Sequence, residues 1–222
     1  MHNIENYIFD LDGTIINSSE EVLLCFKKAF EKANYKINNS LLTPNLIGPP
    51  LKKIIETIAP ELTDEHIIKI VMQNFRQIYD YDENDISKLY KGIFDLLTEL
   101  KNLNKKIFIA TFKPTKPTMR IVKQFKLDMF DDIYTIDKFE KPISKEEMLI
   151  DIIEKYNLVK EETIMVGDAA SDMIAAKNAG IKGIGVLWGY GENKQPLINN
   201  SDLVVKDVKD LKECLKLNYQ TI

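Results

Sequence analysis

The octet IFDLDGTI (Ile8–Ile15) opens on apolar residues, then sets Asp10 and Asp12 two positions apart, with Gly13 and Thr14 behind them. An aromatic and β-branched run bounded by turn-forming residues reads as a short buried strand, and Asp-Gly favours a turn where it ends. A second stretch, IMVGDAASD (Ile164–Asp172), repeats the arrangement more than 150 positions later, with Asp168 and Asp172 following another apolar run. Carboxylates gathered at strand ends repel one another. A metal ion, a phosphate or chemistry on one of them would give a reason for bringing them together.

Working outward, NYIFD, KIFIAT (106–111), TIMVGD (163–168) and GIGVL (183–187) share this apolar character, while FDDIYTI (130–136) and SDLVVK (201–206) are weaker strand candidates. Helical patterns lie between them, over 92–103, 117–125, 145–156, 170–179 and 208–215. Nearly continuous apolar strands alternating with helices predict a parallel sheet covered on both faces. Right-handed crossovers then give an α/β fold, a doubly wound parallel sheet.

One interval departs from that repeat. Between the strand ending near Asp10 and the one beginning near Ile107 lie roughly a hundred residues, against about 30 for a βαβ unit. The surplus is helical. SSEEVLLCFKKAFEKA (18–33) places Val22, Phe26, Ala29, Phe30 and Ala33 on one face, behind a Ser18-x-x-Glu21 capping box. TDEHIIKIVMQNFRQIY (63–79) repeats the pattern with Ile67, Ile70, Val71, Phe75 and Ile78. IGPPLKKII (47–55) breaks the helices and starts another at Leu51. The division expected is an α/β core over 1–15 and 89–222 and a small helical insert over 16–88, closed by the acidic return DYDENDISK (80–88).

Composition narrows the functional classes. The chain of 222 residues is 45% hydrophobic and 29% charged, as in an ordinary globular protein. Its formal charge of -4 offers no basic footprint for nucleic acid. Cys25 and Cys214 form no CxxC pair, and with only His2 and His66 available a Cys/His zinc site is not expected. The start MHNIENYIFD lacks the basic region and long apolar core of a signal peptide. No apolar run approaches the roughly 18 residues of a membrane span. The expectation is a cytoplasmic protein without a membrane partner, a monomer or weak homodimer.

In an open parallel sheet, ligands bind beyond the carboxyl ends of the strands. Asp10, Asp12, Thr111, Asp168 and Asp172 all follow candidate strands directly, so separate segments deliver polar groups to one edge. DLDGT (10–14), Thr111 at the end of IFIAT, a lysine in KPISKEE (141–147) and GDAASD (167–172) together resemble the four motifs of the haloacid dehalogenase-like hydrolase superfamily. The helical insert is similar to that superfamily's small α-helical cap. IGPPL (47–51) and WGYGE (188–192) resemble its phosphoglycolate phosphatase-like branch.

The resemblance implies a Mg²⁺-dependent phosphatase acting on a small phosphorylated metabolite. Asp10 would be the nucleophile and form an aspartyl-phosphate. Asp12 would protonate the leaving oxygen and later deprotonate water. Gly13 permits the tight turn, and Thr14 would fix it through its hydroxyl. Mg²⁺ would be held by Asp10, the backbone carbonyl of Asp12 and Asp168, with Asp172 in support. Thr111 would donate to a phosphoryl oxygen, helped by the backbone N–H of Phe112, a position where the family usually has a small or polar residue. Two lysines compete for the remaining motif. Lys141 stands before a proline, as in one form of it. Lys145 falls in the first turn of a helix opened by a Ser144/Glu147 capping box, where its charge opposes the macrodipole unless a phosphate binds there. Lys145 is the expected phosphate ligand. A phosphomutase would keep the same residues; a binding protein and a dehalogenase fit the Asp12 chemistry less well.

Overall fold

The computed structural model describes residues 4–81, 86–141 and 143–217. Residues 82–85 of the acidic return expected over 80–88, and the proline after Lys141, lie outside the described residues. The chain divides into two compact units, one comprising Met1–Asn17, Lys88–Gly189 and Asn193–Ile222, the other Ser18–Ser87 and Tyr190–Glu192.

The larger unit is built on six strands, β1 (Asn6–Phe9), β4 (Lys106–Thr111), β5 (Asp132–Thr135), β6 (Thr163–Gly167), β7 (Lys182–Val186) and β8 (Leu203–Val205). They lie in the order β5-β4-β1-β6-β7-β8, and every pairing is parallel. Two more strands, β2 (Ile16–Asn17) and β3 (Lys88–Leu89), form a separate antiparallel ribbon where the chain leaves the larger unit and returns to it. Each is only two residues long, too short for periodicity to reveal.

The apolar runs of the strands are continuous because both faces of the sheet are covered. Tyr7, Phe9, Ile107, Ile109, Ile164 and Val166 point to one face and pack with α4 (Ile93–Asn102), α5 (Thr115–Phe125) and α9 (Val208–Leu217). The residues between them, Ile8, Phe108, Ala110 and Met165, point to the other. There they meet α6 (Lys145–Lys155), α7 (Ala170–Ala179) and α8 (Gln195–Asn200). This period-two division fixes the register, since a one-residue slip would exchange the two cores. Helix α8 had no counterpart in the sequence reading. Its sequence QPLINN buries only Leu197, which is too little apolar signal to announce a helix.

β1 lies between β4 and β6, and the chain reverses its direction of travel across the sheet there. The carboxyl ends of these three strands therefore open on the topological switch point where α/β ligands bind. Asp10, Thr111 and Asp168 stand at those ends.

The smaller unit contains α1 (Ser19–Lys32), α2 (Leu51–Ile58) and α3 (Glu65–Tyr81) around its own apolar core. Phe26, Phe30, Ile55 and Phe75 are buried in it, and the Phe26 and Phe75 rings lie 4.3 Å apart. On α3 the buried positions are Ile68, Val71, Phe75, Ile78 and Tyr79, with Ile67 and Ile70 only partly covered. The stripe is turned from the expected one, because three isoleucines in four positions leave the face ambiguous. The expected Ser18–Glu21 capping box is absent. Ser18 has φ -101° and ψ 6°, away from the extended geometry of a capping residue, and its side chain makes no cap bond. Instead, the backbone N–H of Ser18 donates to the Tyr190 hydroxyl at 2.7 Å, and the two hydroxyls lie 3.1 Å apart. The carboxylate of Glu21 accepts from the Ser87 hydroxyl.

Candidate active site

The turn after β1 is made by backbone. Gly13 N–H donates to the Ile16 carbonyl at 2.8 Å, and the N–H groups of Ile15 and Ile16 converge on the Leu11 carbonyl. Gly13 sits at φ +83°, and a Cβ there would fall 2.2 Å from Asp168 Oδ2. Glycine is thus required twice, by conformation and by the approach of a carboxylate. Thr14 does not close the turn with its hydroxyl, which makes a long 3.5 Å contact to Asp168 Oδ1. Its carbonyl accepts from the Trp188 indole N–H at 3.1 Å. The next residue, Gly189, is held to glycine in the same way, since a Cβ there would also lie 2.2 Å from Asp168 Oδ2. Trp188 and Gly189 thus support the β1 turn and Asp168 directly, which their place in WGYGE alone did not reveal.

Oxygen atoms of Asp10, Asp168 and Asp172 lie within 4.8 Å of one another. Asp172, in the first turn of α7, accepts from the Ala169 N–H at 3.2 Å and ties the helix start to the cluster. An all-carboxylate donor set suits a hard cation that prefers oxygen. Asp12 belongs to a different subset. Its side chain turns to Lys113, whose ammonium lies 3.1 and 3.4 Å from the two carboxylate oxygens.

Of the two competing lysines, Lys145 is the one among the carboxylates, while Lys141 is exposed. The Ser144/Glu147 capping box forms as expected and places Lys145 at the start of α6. Its buried ammonium donates to Asp10 Oδ1 at 2.6 Å and to the Ala110 carbonyl at 2.7 Å, and stands 3.2 Å from Asp172 Oδ1. Burial works against that charge, but Asp10 and Asp172 outweigh it and hold the ammonium above the ordinary lysine range. For Asp10, burial raises the carboxyl well above the ordinary range. Lys145 opposes the shift, while Asp172 and Asp168 add to it.

Thr111 is buried, and its hydroxyl oxygen accepts from the Lys113 N–H at 3.1 Å, which leaves the hydroxyl proton available. The Phe112 ring is 46% exposed, with the Lys145 ammonium 5.2 Å from its centroid. The sequence reading missed Lys113. In a chain rich in lysine, its identity carried no signal, and only burial of its side chain to 3% exposure sets it apart. Tyr90 was missed too. Burial, with Asp168 and Asp12 near it, pushes its phenol well above the ordinary range, and its ring packs against Trp188.

Residues 7–186 match the family model of the haloacid dehalogenase-like hydrolases. The chain belongs to that family. It is 30% identical to a pyrophosphatase PpaX of Halalkalibacterium halodurans, over 94% of this chain and 95% of that one. It is 28% identical to a phosphoglycolate phosphatase of Vibrio cholerae, over 96% and 97% of the two chains. Among solved structures, a predicted phosphatase from Clostridium acetobutylicum superposes with a TM-score of 0.82 at 28% identity, over 96% of this chain and 99% of that one. The haloacid dehalogenase-like assignment and the phosphatase class expected from the motifs accord with these relatives. No helix among the described residues is long and apolar enough to cross a membrane.

Proposed function

We propose that this enzyme hydrolyses a small phosphorylated metabolite with Mg²⁺, through an aspartyl-phosphate on Asp10. The observation that carries the proposal is the Asp10 carboxylate, buried at the sheet's switch point with Lys145 at 2.6 Å and two further carboxylates in ligand range. Asp10, Asp168 and the backbone carbonyl of Asp12 would hold the metal, with Asp172 in support. When bound, Mg²⁺ offsets the crowded negative charge and that of the phosphoryl oxygens.

Lys145, the Thr111 hydroxyl and the backbone N–H of Phe112 bind and orient the phosphoryl group. A carboxylate oxygen of Asp10 attacks phosphorus as the bond to the leaving oxygen breaks, and protonated Asp12 gives its proton to that oxygen. In the second half, Asp12 takes a proton from water as the water oxygen bonds to phosphorus. The Asp10–phosphorus bond breaks, inorganic phosphate leaves, and Asp12 is again protonated. The helical unit serves as the cap of the enzyme. We place the protein in the cytoplasm, as a monomer or weak homodimer.

Phosphate release from a panel of small phosphomonoesters and pyrophosphate, with Mg²⁺ and with EDTA, tests this reading. Release that requires the metal and is absent in Asp10→Asn is expected. Metal-independent release, or equal release by the variant, contradicts it. Transfer of the phosphoryl group to a second sugar hydroxyl instead of water would identify a mutase.

A further inference from the structure

Among the described residues, three lysines are buried: Lys105, Lys113 and Lys145. Lys105 immediately precedes β4 at the amino edge of the sheet and pairs with Glu5. At the carboxyl edge, Lys113 and Lys145 divide the two carboxylates of the DLD motif between them. Lys145 contacts Asp10, the oxygen donor to phosphorus, and Lys113 contacts Asp12.

The Asp12 side chain remains 22% exposed, so water can reach it, whereas Lys113 is 3% exposed and gives up most of its hydration. Desolvating an ammonium is costly, so its burial beside this carboxylate calls for a role. The backbone places it there deliberately. The Lys113 N–H donates to the Thr111 hydroxyl, which closes a short loop at the end of β4 and directs the side chain back toward β1.

We propose that Lys113 is a specificity-determining residue that selects substrates whose leaving group is itself anionic. This rests on the phosphatase reading of the same site, in which Asp12 hands its proton to the leaving oxygen. An ammonium in contact with both Asp12 oxygens stands beside that oxygen. A negative charge within two or three bonds of it falls in the field of Lys113, in a partly desolvated setting where such attraction is strong. Pyrophosphate, whose leaving group is phosphate, and 2-phosphoglycolate, whose leaving group carries a carboxylate, meet this requirement. A sugar phosphate, with a neutral alcohol as leaving group, does not.

The test uses a pair matched in size and in leaving-group type: 2-phosphoglycolate and 2-hydroxyethyl phosphate. Both expel an alkoxide and differ in the charge of the remote end. Pyrophosphate is measured beside them, and p-nitrophenyl phosphate reports turnover by the shared machinery. The wild-type enzyme is expected to favour phosphoglycolate over its neutral partner in kcat/KM. In Lys113→Met that preference should fall about tenfold or more, and kcat/KM for pyrophosphate should fall with it. Lys113→Arg, which keeps the charge, should retain most of the preference. High salt should erode it in the wild type less than it would between exposed charges.

An unchanged ratio in Lys113→Met overturns the assignment, as does equal loss on all four substrates, because Lys113 would then act only through Asp12. Both results leave the phosphatase reading intact, since the wild-type enzyme still turns over p-nitrophenyl phosphate in a metal-dependent way. Absence of that turnover in the wild-type enzyme contradicts the phosphatase reading itself and takes this assignment with it.

Discussion

The two units of this molecule spend their buried positions differently. The larger gathers buried charge at the carboxyl edge of its sheet, with Asp10, Lys113, Lys145, Asp168 and Asp172 all removed from solvent, and buries Lys105 against Glu5 at the amino edge. Among the described residues of the smaller, the buried polar ones are Ser18, Ser19, Glu21 and Ser87, close to where the chain enters and leaves it, and the other buried residues are apolar. Buried charge costs stability, and on the proposed function the carboxyl-edge cluster is kept for chemistry, while Glu21 in the smaller unit is held by Ser87; apolar burial stabilises without specifying a reaction. On the proposed function, reactivity belongs to the larger unit, and the apolar core of the smaller one can be judged by packing alone.

That contrast predicts opposite outcomes for substitutions in the two units. Asp10→Asn should lower phosphatase turnover by about four orders of magnitude or more, since it removes the proposed nucleophile. It should change unfolding free energy by only about 1 kcal/mol, because the amide keeps an acceptor for Lys145 while losing a carboxylate that burial disfavours. Steady-state kinetics and urea denaturation on the same sample measure both. A large stability loss would show that the charge cluster holds the fold together.

In the smaller unit the expectation reverses. Phe75 is buried, its ring 4.3 Å from Phe26 and 5.3 Å from Tyr79. Phe75→Ala should cost about 3–5 kcal/mol through lost burial and the cavity left behind. The variant's metal-dependent hydrolysis of p-nitrophenyl phosphate, corrected for the folded fraction, should stay far closer to wild type than that of Asp10→Asn. Chemical denaturation with parallel activity assays checks this, and comparable catalytic losses in the two variants would break the division of labour.

Away from the carboxyl edge of the larger unit, the expected effects are smaller. Partial burial pushes the Asp132 carboxyl up, but hydrogen bonds from Lys138, Lys155 and Tyr156 outweigh it and hold the group below the ordinary carboxylate range. The folded state therefore binds this proton less tightly than the unfolded state. Its stabilisation is present above about pH 4 and is lost as pH falls through the folded value. Asp132→Asn should cost about 1 kcal/mol at neutral pH, a modest figure because the pairs are partly hydrated. The gap from wild type should close in acid. Denaturation curves at several pH values test this, and a gap that widens in acid would contradict it.

Much of the site was legible in the sequence because its residues directly follow apolar strands, and a parallel sheet delivers strand ends to one edge. Asp10 and Asp168 come together for that reason, and the first turn of α7 adds Asp172. The choice between Lys141 and Lys145 was harder, since it depended on where a helix begins, and the Ser144–Glu147 capping box was the only local clue. Lys113 was out of reach, because the loop turned by Thr111 decides its burial rather than any residue pattern. The same limit appears in the smaller unit. A serine three residues before a glutamate looks like a cap, yet Ser18 and Glu21 satisfy partners at Tyr190 and Ser87, distant in sequence. On α3, three isoleucines in four positions leave the buried stripe to be decided by packing.

The most direct test of the central claim is chemical trapping of the phosphorylated enzyme. The wild-type protein would be mixed with Mg²⁺ and its best substrate, quenched in acid and reduced with borohydride, which converts an acyl phosphate to an alcohol. Peptide mass spectrometry should then find homoserine in place of Asp10, dependent on both metal and substrate. An unmodified Asp10 during demonstrated turnover, with reduction at another carboxylate, would contradict the assignment of Asp10 as the nucleophile.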